Sequence, residues 1–454
     1  MARLLQSLRR ALGLSPSNSK LIPSYRQAID TNFAVFREGD RAIIHGKNPV
    51  LTKPLTKGQK TDVRRGVLRH DDIIGKRVRD LVQAHKDGQN LGAESIKTIL
   101  RAGPEYRLSL PSLDEYVVLT PRLVTPIYAA DANLIVSLLD IHVTPPAEGD
   151  EQPPLEILES GTGHGSLTLH LARAIHAANA SPPPLPGQSQ VKLVRKQQKP
   201  LVDAEEAQGH LRTNPAVEDP VQQQWDAWRS RRRAVIHTID VSPRFSAHAE
   251  KIVRGFRRGI YAGNVDFHVG RAEDWIADQI QRRTKKPGIF SSSENSDPFL
   301  SYAILDMPSA HQRIPHVAPI LKRDGILAVF MPSVTQIGEC VDLIRRQQLP
   351  FILERAVELG SGLSSGRLWD IRFAVKKSRA DPSSWIDPAA PGSDGGSAPK
   401  TNEASESVDL ENEAASEEEQ PPQESDSVLV CRPKVGTRIV GGGFVGIWRR
   451  IEDA

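Results

Sequence analysis

From residue 112 onwards the apolar positions fall into two alternating patterns. Residues 130–141 carry apolar side chains at helical spacing, and 155–160 form a short apolar run that ends in glycines. Helices are predicted next over 167–180, 242–258, 272–281, 314–322 and 334–348, interleaved with strands over 235–241, 265–269, 302–306 and 326–331. Ser242 and Pro243 give one of these helices an N-cap and a first-position proline. Such interleaving makes an α/β fold, a parallel sheet with helices on both faces and ligands at the carboxyl ends of its strands. Further strands over 351–359, 368–375 and 438–451 read as a terminal antiparallel hairpin added to that sheet.

The chain before this region is patterned differently. Residues 30–111 show short β-like pieces at 41–44 and 106–110, separated by Gly39, Gly46, Gly58 and Gly66, and read as a small β-rich domain. Residues 1–29 contain Arg3, Arg9, Arg10, Lys20 and Arg26 and no acid, with Leu4, Leu5, Leu8, Ala11 and Leu12 on one side of a helix. That combination suits a mitochondrial presequence; a plain basic tail, compatible with nuclear residence, is the alternative. Within 112–454, three stretches (181–233, 283–299 and 378–428) are poor in large apolar groups and are expected to be loops or disorder. The first ends in Arg229-Ser-Arg-Arg-Arg233, which can touch phosphates or stay solvated.

Composition narrows the function classes. Cys340 and Cys431 are the only cysteines, which excludes a disulfide framework and a cysteine-based zinc site. The 13 histidines show no paired ligand spacing, so no metal is expected. No apolar run approaches the roughly 20 residues of a membrane span, so no membrane partner is expected. The net charge of +4 hides a split: residues 403–426 hold ten acids and no Lys or Arg, and without those acids the charge is +14. A body that basic suits a polyanion such as nucleic acid.

The candidate chemistry centres on residues 155–168, Leu-Glu-Ile-Leu-Glu-Ser-Gly-Thr-Gly-His-Gly-Ser-Leu-Thr, which read as strand, glycine turn and helix start. Gly161, Gly163 and Gly165 permit a sharp turn and close ligand approach, and Ser166 is expected to cap the helix. Glu159 would repel a pyrophosphate and welcome a sulfonium or amine, which favours S-adenosylmethionine over NAD. An ordinary strand-to-helix turn is the plainer alternative. Asp240 ends the next strand, where a carboxylate accepts both ribose hydroxyls. Asp306 ends a strand at Leu305-Asp306-Met307-Pro308 over the same edge. There a carboxylate can bond the exocyclic amine of an adenine while N1 takes a methyl group, stabilising the charge that develops. Helix-dipole capping is the simpler role for either aspartate, and His164 reads as a neutral loop residue.

Seven ordered blocks carry a family resemblance. They are Phe36-Arg-Glu-Gly-Asp40, Arg65-Gly-Val-Leu-Arg-His-Asp-Asp-Ile-Ile-Gly75, Tyr106 with Pro111, Thr120-Pro-Arg-Leu-Val-Thr-Pro-Ile-Tyr128 with Asp131, Glu159-Ser-Gly-Thr-Gly-His-Gly-Ser166, Ile304-Leu-Asp-Met-Pro308 and Met331-Pro-Ser-Val-Thr-Gln336. Together they resemble the tRNA (adenine-58)-N1 methyltransferase catalytic subunits, over about residues 33–377 and 434–451 less the insertions. The resemblance implies a Rossmann-like class I methyltransferase sheet with a small N-terminal β-barrel that helps hold tRNA. It implies S-adenosylmethionine as cofactor, Asp306 as the catalytic aspartate, and a tetramer of one chain or of catalytic and non-catalytic chains. The cofactor-binding set it implies is Glu159, Gly161, Thr162, Gly163, Gly165, Ser166, Leu167, Asp240, Tyr128, Arg271, Ala272 and Asp306. Three departures stand out. His164 replaces a serine; Gly270-Arg271 stands where the family has an Asp on the cofactor's adenine, with Glu273 and Asp274 as nearby substitutes; and 441–446 replaces a His-Thr-Gly. A non-catalytic RNA-binding subunit, or a methyltransferase acting on another RNA, are the competing readings.

Overall fold

The computed structural model describes residues 28–45, 49–85, 103–146, 152–194, 219–284, 297–360, 367–375, 427–433 and 442–452. The proposed presequence (all but its last two residues) and the acidic run lie outside them. The N-terminal domain is built from β1 (Ile43–Ile44), β2 (Val50–Leu51), the hairpin β3 (Lys60–Val63) and β4 (Gly66–Arg69), β5 (Leu81–Gln83) and β6 (Glu105–Ser109). Antiparallel pairing orders the sheet β2-β1-β6-β5, and a bridge between Val67 and His85 joins the hairpin to it. Phe36, Leu55, Leu68, Ile73, Val82 and Leu108 fill the space between. The block from Arg65 to Gly75 serves this fold directly: buried His70 accepts from Thr56 N through Nδ1 (2.9 Å) and contacts Thr61 Oγ1 through Nε2 (2.8 Å).

The chain continues into α1 (Leu113–Leu119) and α2 (Ala129–Leu139), with a capping box at Ser112 and Glu115 starting the first. There follow β7 (Leu155–Ser160), α3 (Ser166–Ala174), β8 (Lys192–Leu193), α4 (Pro220–Arg229), β9 (Ala234–Asp240), α5 (Pro243–Gly255), β10 (Val265–Val269), α6 (Ala272–Thr284), β11 (Leu300–Leu305), α7 (Ile314–Val317), β12 (Leu321–Met331), α8 (Val334–Arg346), β13 (Phe351–Gly360), β14 (Arg367–Val375), β15 (Ser427–Pro433) and β16 (Gly442–Arg450). The ten-stranded sheet runs β15-β14-β13-β16-β12-β11-β7-β9-β10-β8, parallel from β12 to β8. This is the Rossmann-like α/β sheet expected. Successive strand residues serve opposite faces: Ile157, Ile236, Ile304 and Ala328 pack under α1, α2, α3 and α5, while Leu158, Ile239, Leu305 and Val329 pack under α6, α7 and α8. Strands buried on both faces are apolar at most positions for this reason, with Glu156 in β7 and His237 in β9 bonded to each other. Among the described residues no helix is long and apolar enough to cross a membrane.

Four expectations need correction. The terminal hairpin is a larger antiparallel unit: β16 inserts between β12 and β13, antiparallel to both, and β14 pairs with the unforeseen β15. The helix expected over 314–322 is a single turn followed by a 3-10 segment, because Pro319 has no N–H for the helix and Leu321 already opens β12. The insertion 181–233 is ordered at both ends, over 181–194 and 219–233, since Trp225 and Trp228 lie three apart on α4 and are both buried. Its basic tract is neither solvated nor free for phosphates as a whole: Arg229 and Arg232 bond Asp266 at 2.7 and 2.9 Å. Of the stretch 283–299 only 283–284 and 297–299 lie among the described residues, and there Arg283 meets Glu156 (2.8 Å) and lies over the ring of buried Phe299.

Arg258 joins the two domains. Its guanidinium donates to both Asp40 carboxylate oxygens (2.8 and 2.7 Å) and to the carbonyls of Asp30, Asn32 and Val35. The Asp266 pair is the comparable lock inside the larger domain, and the two guanidiniums hold that carboxyl well below the usual range. Asp266→Ala would leave Arg229 and Arg232 buried without their partner, so it is expected to cost about 3 kcal/mol of stability. Chemical denaturation checks this; a change within about 0.5 kcal/mol, as for an ordinary surface position, would contradict it.

Candidate functional site

The parallel register sets Glu159 beside Thr238 and Ile304, and Ser160 beside Ile239 and Leu305. Glu159, Asp240 and Asp306 therefore meet at the carboxyl ends of β7, β9 and β11. The turn after β7 is fixed from both sides: Gly161 N donates to Ile239 O (2.8 Å) and Asp306 N to Ser160 O (2.8 Å). Gly161 has φ +101, and a Cβ there would lie 1.8 Å from the Asp306 carbonyl oxygen. Only glycine lets these two backbones approach so closely. Thr162 is tied to Thr238 by their hydroxyls (2.7 Å), and Gly163 N donates to Asp240 Oδ2 (3.0 Å). A Cβ on Gly163, which has φ +52, would meet the Val124 side chain at 3.6 Å, an ordinary contact.

Electrostatics sets the character of the edge. Glu159 is 1% exposed and accepts from Thr168 Oγ1 at 2.7 Å. Burial pushes its carboxyl up to about 8, against the pull of the Thr168 and Thr238 hydroxyls, and the charges of Asp306 and Asp240 add to the rise. Half-buried Asp306 is pushed up to about 7 by desolvation and then by Asp240. Among the described residues, none of the three is ion-paired to a Lys, Arg or His. A site of this kind lacks a cation, and one placed there would favour the ionised carboxylates.

The other expected residues lie around this edge in different roles. Ser166 does not cap its helix. Gly165, with φ +83, occupies the N-cap position, and the Ser166 hydroxyl donates to Ile127 O (2.6 Å). That bond lays the segment 120–128 against the loop and sets Tyr128, about half exposed, beside it with Arg122 over its ring. Leu167 is buried in the core under α3. His164 is buried too, its Nε2 near Thr120 Oγ1 (3.3 Å) and its ring against His248. Burial, then the charges of His248 and Arg122, pushes it down to about 4, so it stays neutral as the sequence suggested. Past β10, Arg271 is exposed and Ala272 buried at the start of α6. Glu273 is held by Arg313 (3.0 Å), which leaves Asp274 as the acid of that turn without an ion pair among the described residues. Residues the pattern did not single out include Val241, an apolar side chain 66% exposed directly after Asp240, and Thr168 and Thr238 beneath Glu159. In the sequence Val241 only closes an apolar run, and its exposure is a property of the fold. No group of three or more metal-ligating side chains occurs among the described residues.

No protein-family model matches the chain. Among curated proteins, the tRNA (adenine(58)-N(1))-methyltransferase TrmI of Thermus thermophilus is 26% identical over 278 residues, which is 61% of this chain and 72% of that protein; a second strain gives the same figures. Among solved structures, a SAM-dependent O-methyltransferase from Thermotoga maritima matches with a TM-score of 0.47 at 14% identity, over 93% of this chain and 96% of its own. TrmI from Aquifex aeolicus matches with a TM-score of 0.41 at 14% identity, over 92% and 99%.

Because Glu159 has a raised affinity for its proton, its contribution to stability is present below its ordinary value near 4.5 and is lost as pH rises through about 8. Glu159→Gln keeps the shape without the charge. It is expected to raise the melting temperature of the protein without ligand by a few degrees at pH 8.5, and by less at pH 6. Scanning calorimetry at the two pH values checks this; a variant destabilised equally at both would contradict the assignment.

Proposed function

We propose that this chain, a divergent TrmI-like methyltransferase, transfers a methyl group from S-adenosylmethionine to N1 of adenosine 58 in the T-loop of tRNA. The observation that carries the reading is the meeting of Glu159, Asp240 and Asp306 around a glycine loop with no ion-paired cation among the described residues. Such an edge suits a sulfonium and an amine and disfavours a pyrophosphate. The residues present fit the cofactor: the loop carries no side chain at Gly161, Gly163 or Gly165, the Asp240 carboxylate keeps lone pairs beyond its bonds to Gly163 N and Ser242 N, and Val241 offers an apolar surface beside it. Once bound, S-adenosylmethionine supplies the electrophilic methyl group.

The chain supplies the rest. Glu159 and the loop from Gly161 to Gly165, with Thr162, Ser166 and Leu167 supporting it, hold the amino-acid end. Asp240 takes the ribose hydroxyls, and Tyr128 borders the opening. Asp306 accepts a hydrogen bond from the exocyclic amine of the adenine. The bond strengthens as N1 gains its methyl and the ring becomes cationic, so the carboxylate stabilises the transition state more than the bound substrate. Alignment of N1 with the methyl contributes the entropic part. The target's Watson–Crick edge is engaged within folded tRNA, so the nucleotide must be drawn out before transfer. Phosphate contacts by the basic body would make binding salt-sensitive. A tetramer, of one chain or with a non-catalytic relative, and mitochondrial rather than nuclear residence belong to the same proposal. The non-catalytic alternative draws on Gly270-Arg271, where the family has an acid.

Unmodified tRNA transcripts incubated with the protein and S-adenosylmethionine are expected to acquire a reverse-transcription stop at position 58. Asp306→Asn should lower the rate about a hundredfold or more. Asp306 must be ionised to accept, so kcat/KM of the native protein should fall as pH drops through about 7, and that limb should vanish in the variant. A stop elsewhere would refute the position, and an unimpaired variant would remove Asp306 from the chemistry.

A further inference from the structure

The insertion between α3 and β9 returns to the sheet before leaving it again. β8 pairs in parallel with β10, Lys192 opposite His268 and Leu193 opposite Val269, and Val194 N donates to Val269 O at 2.9 Å. This short strand extends the sheet beyond β10 and ends at the carboxyl edge. Half-buried Val194 packs there on Gly270: a Cβ on that glycine would lie 2.6 Å from the Val194 Cβ and 2.9 Å from its Cγ2. Gly270 N in turn donates to Asp240 O at 3.0 Å. The order along the edge is thus Asp306 on β11, the glycine loop on β7, Asp240 on β9, Gly270 on β10 and Val194 on β8.

S-adenosylmethionine is itself laid out in line: amino acid, sulfonium, ribose, adenine. With its sulfonium toward Asp306 and its ribose on Asp240, the adenine extends to the β10 side. The exocyclic N6 is at the end of the purine opposite its bond to ribose, so it points farthest along that direction. Resting on the cofactor reading above, we infer that the inserted strand β8 is the outer wall of the adenine subsite, and that Val194 closes it beyond N6. This wall is built by an insertion in a crossover, at the place where Gly270-Arg271 removes the acid that the resemblance leads one to expect. Packing by an aliphatic side chain there selects an unsubstituted adenine by shape.

The test is calorimetric titration of the full chain with S-adenosylhomocysteine and with its N6-benzyl analogue. The native protein should bind the first, and the second roughly ten- to a hundredfold more weakly, the cost of forcing bulk into a packed site. Val194→Gly, and to a smaller degree Val194→Ala, should bring the affinity for the benzyl analogue back toward that for the parent compound measured on the same variant. Equal binding of both compounds by the native protein, or no recovery in either variant with its thermal unfolding intact, would overturn the wall. Failure of the native protein to bind S-adenosylhomocysteine at all would instead overturn the cofactor reading on which it rests.

Discussion

Three carboxylates share the carboxyl edge of one sheet with no cation paired to them among the described residues, and the rest of the molecule is arranged to keep them there. Like charges in a partly desolvated place raise one another's proton affinity, as the positions of Glu159 and Asp306 show. The arrangement persists because backbone fixes it. Asp306 N is bound to Ser160 O, Gly161 N to Ile239 O, and the absent side chain of Gly161 allows the β7 and β11 ends to touch. Layers of helix on both faces hold the strands in register, so relaxing one carboxylate would require moving a strand. An edge prepared in advance for positive charge is where binding a cation, and stabilising one that forms during reaction, gains most.

The attachments around this core follow the same economy of position. Arg258 spends its donors on Asp40 and three carbonyls, so the β-rich domain is held to the end of α5. Asp266, with Arg229 and Arg232, fastens the far end of the long insertion to the back of the sheet, and Glu250 holds its near end through Ser189 and Gln190 N. Between these anchors the chain reaches β8. The described part of the insertion therefore extends the sheet, and its Arg229 and Arg232 serve internal pairing.

Much of this was legible in the residues. Apolar-rich runs ending in Asp240 and Asp306 marked buried parallel strands, and the N-cap at Ser242 is formed as its sequence suggests, accepting from Phe245 N. What escaped depended on contacts distant in sequence. Ser166 looks like a cap, but the left-handed Gly165 takes that position and Ile127 claims the hydroxyl. Trp225 and Trp228 were hidden within a polar stretch, though their spacing and the Asp219-Pro220 start are helix signals. β8 is only two residues long, and β15, apolar from Val428 to Cys431, begins inside the stretch read as loop; an edge strand needs only a partner's backbone to form. Val241 and Val194 acquire meaning only when the order of strands is known.

The central claim, that this edge is built to receive a cation, is tested most directly by the protons exchanged when S-adenosylmethionine binds. Calorimetric titration at pH 7 in two buffers of different ionisation enthalpy counts them. A bound sulfonium lowers the proton affinity of Glu159 and Asp306, which start near about 8 and about 7, so binding should release protons to the buffer. Binding without proton release, or no binding, would contradict the account.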